Sequence, residues 1–385
     1  MNTSFKLWTI TLMVLCSLTV AAQVDKLAIS KYERNPKQLE KVKILVSKIT
    51  KDDIYKTLIE FIKATRPGRF VGTSGHKNTF TFLLDYIGKI KGTTDLLWVD
   101  EFNPDLEYAI KMYNRDFENQ IIGKYTPSST EYRKADRLTK SAISTLKNFK
   151  GLKGKNVIYE KKGSKNPNDI IILGAHLDTI VVNSNTSSIE KDVSMPGADN
   201  NASGVSVLLN LIKIISKLDM EKTIRIVFFD FENLGFLGSR NFVEKYYDEL
   251  VNNKNRLVGF INVLMLGHDT LDEDQEKQMG NMKIYTRKQN AKDADLAKLM
   301  NLSGIKAVSG INFKVEPNDF QDGSNISFWE KDLPSVVMTQ NWENDPNFKM
   351  HTPNDLIETL NMATLHRAFQ HISLAVVAWG FDIKK

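Results

Sequence analysis

From Asn156 onward, apolar residues follow two alternating patterns. NVIYE (156–160), DIIILGAHLD (169–178) and TIRIVFFDFE (223–232) are continuous apolar, β-branched runs, typical of strands buried on both faces. Between them, ASGVSVLLNLIKIISKL (202–218) repeats apolar residues at helical spacing. Strands of this kind alternating with helices predict an α/β protein, a three-layer α/β/α sandwich around a mixed, largely parallel central sheet.

The same patterns predict further elements on both sides of this core. Towards the C-terminus we expect a helix, three strands and a closing helix, at 239–253, 257–266, 282–287, 334–340 and 362–381. Towards the N-terminus we expect helices at Lys51–Thr65, Lys77–Lys91 and around Glu131–Asn148. No internal repeat or Gly/Ser/Pro-rich linker divides the chain. Residues 23–385 are therefore predicted to form one domain with a helical N-terminal region at 23–150. This region includes an insert at 103–150 that is polar and contains scattered aromatic residues.

The first 22 residues have the pattern of a secretory signal peptide. A lysine precedes an apolar run, which ends in small residues at Ala21 and Ala22. We therefore expect a secreted or periplasmic protein with no stable membrane anchor after cleavage. The single cysteine, Cys16, lies inside this segment, so the mature chain is expected to contain neither disulfides nor thiolate chemistry.

Composition is that of an ordinary globular protein, with 385 residues of which 42% are hydrophobic and 25% charged. The formal net charge is +6, but lysines and acidic residues alternate along amphipathic segments such as 37–53. No dense basic stripe with interleaved aromatics is present, which argues against a nucleic-acid surface.

Chemically suggestive residues follow the predicted strands, at the edge where open α/β sheets form their sites. The four segments are GAHLDT (174–179), PGADNNASG (196–204), FFDFENLGFLGS (228–239) and MHTPNDL (350–356). His176 and Asp178 lie two apart on an extended segment, so both side chains leave on the same face. A buried strand delivers Glu232 and Asn233 to its end, and His351 precedes a proline-bearing loop.

In this order, the segments resemble the secreted zinc aminopeptidase family, which includes glutamate carboxypeptidases and glutaminyl cyclases. The similarity runs from about Asn156 to the C-terminus, and PGRFVGTSGHKNTFTFLLDYI (67–87) is similar to the family's N-terminal helices. The resemblance implies a zinc aminopeptidase/phosphorylase-hydrolase-like fold. It also implies two zinc ions bridged by an aspartate, with a metal-bound water attacking a peptide carbonyl.

Some of the family's functional residues have counterparts in this chain. His176 and His351 match the histidine ligands of the zinc ions. By the same resemblance Asp178 is the carboxylate that orients His176, and Glu232 is the general base.

Three carboxylate ligands are replaced. The bridging aspartate corresponds to Asn200, the ligand glutamate to Asn233 and a further ligand aspartate to Leu264. Asn325, where relatives commonly carry an aspartate, is expected in the pocket. Because neutral amides and leucine cannot balance two dications, we expect no cofactor or weakly bound zinc. The expected function is that of a pseudo-peptidase whose pocket binds a peptide or a small polar ligand.

Several alternatives are compatible with the sequence. Asp199, His268 and Asp269 are possible substitute ligands, although Asp199 also suits the start of the next helix and the other two a surface turn. A single zinc between His176 and His351 would support an active aminopeptidase or a cyclase-like acyltransferase. The insert at 103–150 could instead make the chain an interaction or scaffold protein, which deletion of the insert would test.

Overall fold

In the computed structural model, an eight-stranded sheet forms the centre of the protein. The structure describes residues 36–251, 256–270, 282–301, 311 and 313–380, so the predicted signal peptide lies outside the described residues. The strands of the sheet, in chain order, are β1 (Leu96–Phe102), β2 (Gly154–Lys161), β3 (Asn166–His176), β6 (Lys222–Phe229), β7 (Arg256–Val263), β8 (Lys283–Thr286), β9 (Lys314–Pro317) and β10 (Ser335–Thr339). A separate hairpin contains β4 (Val181–Asn183) and β5 (Ser188–Glu190).

The spatial order of the sheet is β1-β2-β6-β3-β7-β10-β8-β9. Its centre is parallel, because β3 pairs in parallel with both β6 and β7, and β7 pairs in parallel with β10. Antiparallel pairs flank this centre, namely β1 with β2, β2 with β6 and β8 with β10. The prediction of a mixed, largely parallel sheet is confirmed.

Helices cover both faces of the sheet. They are α1 (Pro36–Ser47), α2 (Lys51–Ala64), α3 (Ser74–Ile90), α4 (Leu106–Gln120), α5 (Thr130–Asn148), α6 (Gly204–Ile215), α7 (Leu237–Val251), α8 (Ala291–Met300), α9 (Asn325–Trp329) and α10 (Met362–Gly380). Leu58, Leu208 and Ile372 belong to the main core on one face. Phe242 and Phe328 pack on the other face. This arrangement confirms the three-layer sandwich.

Local sequence determines where these helices start. Thr50 caps α2, since its side chain accepts a hydrogen bond from Asp53 N–H while the Asp53 carboxylate accepts one from Thr50 N–H. α6 carries apolar residues around nearly its whole circumference and is almost entirely buried. It places the loop at its own N-terminus, Ala198–Ser203, beside the carboxyl end of the sheet.

The insert at 103–150 forms the helices α4 and α5, which pack against the domain. Their apolar residues join a cluster with Phe102, Phe149, Phe231 and Leu234. On α4, the ring of Tyr108 lies 3.7 Å from the guanidinium of the α7 residue Arg240. Arg240 also pairs with Glu330 just beyond α9, at 2.6 Å. The insert is thus joined to α7 and, through Arg240, to the residue that follows α9.

Candidate functional site

Three neighbouring parallel strands bring the candidate residues to one edge of the sheet. His176 is the last residue of β3, Glu232 and Asn233 follow β6, and Leu264 follows β7. Because β3 lies between β6 and β7, these side chains converge. A cavity of about 60 Å³ lies there, and its lining includes these four residues together with Asn200 and His351.

His176 is bound to Asn200 in this cavity. Its Nε2 atom lies 2.9 Å from Asn200 Oδ1, and its Nδ1 atom lies 3.1 Å from the main-chain oxygen of Asp178. Burial lowers the pKa of His176, which favours the neutral ring. Both ring nitrogens are therefore already engaged by neighbouring protein atoms.

An asparagine suits this arrangement better than an aspartate would. A neutral imidazole has one N–H group, and the carbonyl of Asp178 can only accept it. As placed, Asn200 Oδ1 accepts from an Nε2–H group. If the proton is on Nδ1 instead, Nε2 is the acceptor, and the Asn200 NH₂ group can donate to it once the amide is turned. A carboxylate at position 200 could accept from an Nε2–H group but could not donate, so the amide is the side chain that fits either tautomer of the neutral ring.

Asp178 holds the loop after β6. Its carboxylate accepts hydrogen bonds from the backbone N–H groups of Glu232 and Asn233, at 3.1 and 3.0 Å, and from Asn233 Nδ2 at 3.0 Å. The same carboxylate is 3.8 Å from His176 Nδ1. The expectation that the Asp178 carboxylate orients His176 is thus corrected. The main-chain carbonyl orients the ring, because the carboxylate is occupied by the neighbouring loop.

Glu232 is buried and surrounded by hydroxyl groups. Its carboxylate accepts hydrogen bonds from Ser239 N–H at 2.7 Å, from Ser239 Oγ at 2.9 Å and from Ser324 Oγ at 2.6 Å. Burial nevertheless raises the pKa of Glu232 to about 8, against the lowering effect of these hydrogen bonds. The group can therefore carry a proton near neutral pH.

The raised pKa predicts that the protein loses stability as the pH rises. Between the ordinary glutamate pKa of about 4.3 and the folded value of about 8, folded Glu232 retains a proton that the unfolded chain has released. The free energy of unfolding should therefore fall across this window and level off above it. Urea denaturation at pH 5, 7 and 9 measures this dependence. The free energy of unfolding of Glu232→Gln should fall less steeply with pH than that of the wild type.

The matched control for this prediction is Glu118→Gln, at an exposed position of α4. It should follow the wild-type pH profile. A residual slope is expected in Glu232→Gln, since burial also raises the pKa values of Asp199 and Asp355, the latter to about 7. Identical profiles for Glu232→Gln and wild type would contradict the prediction.

His351 and Leu264 line the cavity, but Asn325 does not. Burial and the nearby His176 lower the pKa of His351 to about 4, so this ring is neutral as well. Asn325 is fully buried behind the cavity wall, where it donates to Phe320 O at 3.1 Å. The prediction that Asn325 lines the pocket is therefore wrong. Asn262, whose Nδ2 is 3.4 Å from Asn325 Oδ1, lies in the lining instead.

The three proposed substitute ligands are engaged elsewhere. Asp199 accepts hydrogen bonds from Gly267 N–H at 2.7 Å and Asn347 Nδ2 at 2.9 Å, so its carboxylate neither faces the cavity nor caps the next helix. His268 pairs with Asp345 at 3.1 Å, and Asp269 accepts a hydrogen bond from the Thr364 hydroxyl at 2.9 Å. His268 and Asp269 do not line the cavity either.

Arg69 supports the loop that carries Asn200, and the sequence analysis did not identify it. The side chain is fully buried and donates to the main-chain oxygens of Leu177, Pro196 and Gly197, at 2.7, 2.8 and 3.0 Å. Burial lowers its pKa to about 10, which still leaves it charged at neutral pH. Arg69 thereby joins the segment after His176 to the start of the Asn200 loop.

Comparison with known proteins decides the family. A family model described as peptidase family M28 matches residues 156–376, which is more than half of the chain. The chain belongs to peptidase family M28. The match covers the sheet from β2 onward and every candidate residue of the site, while the insert lies outside it.

Curated relatives are similar over shorter segments of this M28 chain. Aminopeptidase YwaD of Bacillus subtilis is 34% identical over 107 residues, which are 27% of this chain and 21% of YwaD. A probable zinc metalloprotease of Pyrenophora tritici-repentis is 30% identical over 129 residues, which are 34% of this chain and 28% of that protein. The chain therefore spans about a quarter of the length of these relatives.

Solved structures share the M28 fold. LapA aminopeptidase of Legionella pneumophila matches with a TM-score of 0.61 and 16% identity, over 90% of this chain and 76% of that chain. A zinc aminopeptidase of Bacillus subtilis matches with a TM-score of 0.60 and 16% identity, over 88% of this chain and 97% of that chain. A glutaminyl cyclase of Bacteroides thetaiotaomicron matches with a TM-score of 0.57 and 15% identity, over 87% of this chain and 99% of that chain. At such identities these likenesses concern the fold alone.

The donor set of this M28 site does not suit a pair of zinc ions. Zinc sites in proteins use histidine, cysteine and carboxylate donors. Across the part of the chain that the structure describes, no group of three or more such residues could hold a metal ion. Around His176 and His351 the cavity lining offers the amides of Asn200 and Asn233 and the apolar Leu264, together with the carboxyl groups of Glu232 and Asp322.

None of the helices among the described residues has the length and apolar character that a membrane span requires.

Proposed function

We propose that this protein is an M28 member without peptidase chemistry, whose metal-free pocket binds a peptide or a small polar ligand. The contact between His176 Nε2 and Asn200, at 2.9 Å, carries the proposal. It replaces a nitrogen–metal bond with a hydrogen bond inside the protein. The pocket thus keeps its shape while its nitrogen donor is occupied.

Electrostatics supports this proposal. At an effective dielectric constant of ~20, two unit charges about 4 Å apart interact by about 4 kcal/mol. Two zinc ions bring four positive charges, and the predicted ligand positions 200, 233 and 264 hold no anion. The two carboxylates that match the family's pattern already accept hydrogen bonds within the protein. Asp178 accepts from the loop after β6, and Glu232 accepts from the hydroxyl groups of two serines. Zinc affinity should therefore be lower by many orders of magnitude than with three carboxylates.

The pocket also supports binding of a small ligand. It combines apolar walls, including Phe236, Met265 and Trp342, with the polar groups of Asn262 and His351. Mixed linings of this kind orient small ligands through a few polar contacts. Its volume of about 60 Å³ suits a small group or the end of a chain.

Metal content and peptidase activity together test this function. Purified mature protein, dialysed against micromolar zinc, should contain well below one zinc per chain by elemental analysis. It should also fail to hydrolyse aminoacyl p-nitroanilides with zinc added. The B. subtilis zinc aminopeptidase, treated identically, is the positive control. Two tightly held zinc ions per chain would overturn the proposal.

The second candidate is an active aminopeptidase, or a glutaminyl-cyclase-like acyltransferase, with a single zinc between His176 and His351. It is favoured by the buried carboxylic acid of Glu232, whose pKa near 8 suits a proton-transfer group. In this case Glu232→Gln should abolish a zinc-dependent activity that the wild type shows. Export through the signal peptide at 1–22 is part of the proposal in either case. N-terminal sequencing of protein from the medium or periplasm should begin near Gln23.

A further inference from the structure

A buried amide oxygen in the lining of the His176 cavity has no hydrogen-bond partner. Asn262, near the end of β7, is 1% exposed, and its Oδ1 atom is unpaired among the described residues. Neighbouring contacts fix the orientation of this amide. Asn325 donates through Nδ2 to Phe320 O at 3.1 Å, so its Oδ1 is left to accept from Asn262 Nδ2, at 3.4 Å. The Asn262 oxygen is therefore available to a donor in the cavity, and such a donor would remove the cost of burying it unpaired.

The lining of this cavity contains acidic groups but, among the described residues, no lysine or arginine. Glu232 and Asp322 contribute the carboxyl groups. Asp322 lies shortly before α9, and neither an ion pair nor a hydrogen bond engages its carboxylate within the described part of the chain. Although Asp322 is exposed at the mouth, desolvation by the surrounding protein raises the pKa of its carboxyl, as expected in a concavity. A cation is therefore the occupant that complements this lining.

The aromatic walls and the small volume of the cavity favour one kind of cation. Phe236 and Trp342 belong to the lining, and an aromatic face attracts a cation that stacks on it. A guanidinium is planar and has five N–H donors, whereas an ammonium is a compact, strongly hydrated charge with three. Because the cavity holds only about 60 Å³, an entering cation must lose much of its water. That loss costs a guanidinium less than an ammonium.

We propose that the cavity binds the guanidinium of an arginine side chain in a peptide. The Asp322 carboxylate pairs with the guanidinium, Asn262 Oδ1 accepts one of its N–H groups, and an aromatic wall stacks on its plane. The cavity has room for this head group only, so the peptide backbone lies outside, at the mouth. This assignment rests on the proposed function, because it takes the cavity to be free of metal and to bind a peptide.

Isothermal titration of the full mature chain in the presence of EDTA tests the assignment. The probe is acetyl-arginine methylamide, whose guanidinium is its only charged group, and matched probes carry citrulline or lysine instead of arginine. The arginine probe should bind at least ~10-fold more tightly than the citrulline probe, which has nearly the same shape but no charge. It should also bind more tightly than the lysine probe, and more tightly than methylguanidine, which lacks the peptide part.

Two variants of the protein locate the binding site. Asp322→Asn changes an exposed position and should reduce the preference for arginine over citrulline ~10-fold. Asn262→Leu removes the buried acceptor and should weaken binding of the arginine probe ~10-fold, with circular dichroism to verify the fold. Glu343→Gln is the matched control, since it removes a negative charge next to Trp342 at an exposed position that does not line the cavity. It should bind the arginine probe as the wild type does.

Several results would overturn the assignment. They are equal affinity for the arginine and citrulline probes, undiminished binding in either folded variant, no binding of the arginine probe, or equal binding of methylguanidine. Tighter binding of alanine methylamide, whose N-terminal ammonium is free, would assign the cavity to an N-terminal amine instead. Elemental analysis of the same sample separates this test from that of the proposed function. Two zinc ions per chain would refute the proposed function, whereas a zinc-free chain that prefers another probe would refute only the arginine assignment.

Discussion

The triple variant Asn200→Asp, Asn233→Glu, Leu264→Asp is expected to bind zinc much more tightly than the wild-type chain does. The strand ends and the loop before α6 already bring these three positions together with His176 around one cavity. Each added carboxylate contributes at least about 4 kcal/mol of attraction to a nearby cation at an effective dielectric of ~20. That corresponds to roughly a thousandfold in affinity for each carboxylate. Elemental analysis after dialysis should find one to two zinc ions per chain.

Thermal stability provides a second measurement for the triple variant. Without metal, three clustered anions in a buried cavity should lower its melting temperature, and added zinc should raise it again. The control carries three new carboxylates at exposed sites, Asn119→Asp, Asn185→Asp and Asn354→Asp. It has the same net charge and should not respond to zinc. A triple variant that folds but ignores zinc would show that these positions are not the former ligand positions.

Arg69→Met is expected to lower the free energy of unfolding by about 3 kcal/mol or more. Methionine keeps much of the apolar contact over Phe61, whose ring lies 5.1 Å from the guanidinium. It donates no hydrogen bonds, so the buried main-chain oxygens of Leu177, Pro196 and Gly197 lose their partner. Urea denaturation followed by circular dichroism measures the loss.

Arg66→Met is the matched control, because it makes the same substitution three residues earlier at an exposed position. It should change the free energy of unfolding by less than about 0.5 kcal/mol. If both variants were equally stable, Arg69 would not be the support of the Asn200 loop.

Much of the fold could be predicted because hydrophobic periodicity follows burial closely. The parallel strands β3 and β6 carry the apolar runs 170–173 and 226–229 and lie where the pattern placed them. β1 was not predicted. It is an edge strand whose residues are mostly half-buried or exposed, and its apolar run Leu96–Val99 is only four residues long before Asp100 and Glu101 interrupt it. α4 was part of the predicted insert, but it was not recognised as a helix of its own, because within it only Ala109 is fully buried.

The site was predictable where side chains lie close together along the chain, and less so where distant segments meet. His176, Glu232 and His351 were selected by their motifs, and the structure places all three on one cavity. Ser324, which binds Glu232, lies 92 residues away along the chain, and Arg69 lies 108 residues from Leu177. Such partners leave no local pattern. Asn325 was misplaced because a one-residue difference at the start of α9 decides which side chain faces the cavity.

The packing of α4 and α5 changes how their part in partner recognition should be tested. Their apolar side chains cover Phe231 and Leu234, in the loop that also carries Glu232. Deleting 103–150 would expose this apolar surface to solvent and promote aggregation. Loss of partner binding by the truncated chain would therefore not show that the insert recognises a partner. Charge reversal at exposed positions of α4, for instance Lys111 and Glu118, leaves the apolar packing on Phe231 and Leu234 intact. Such variants test recognition alone.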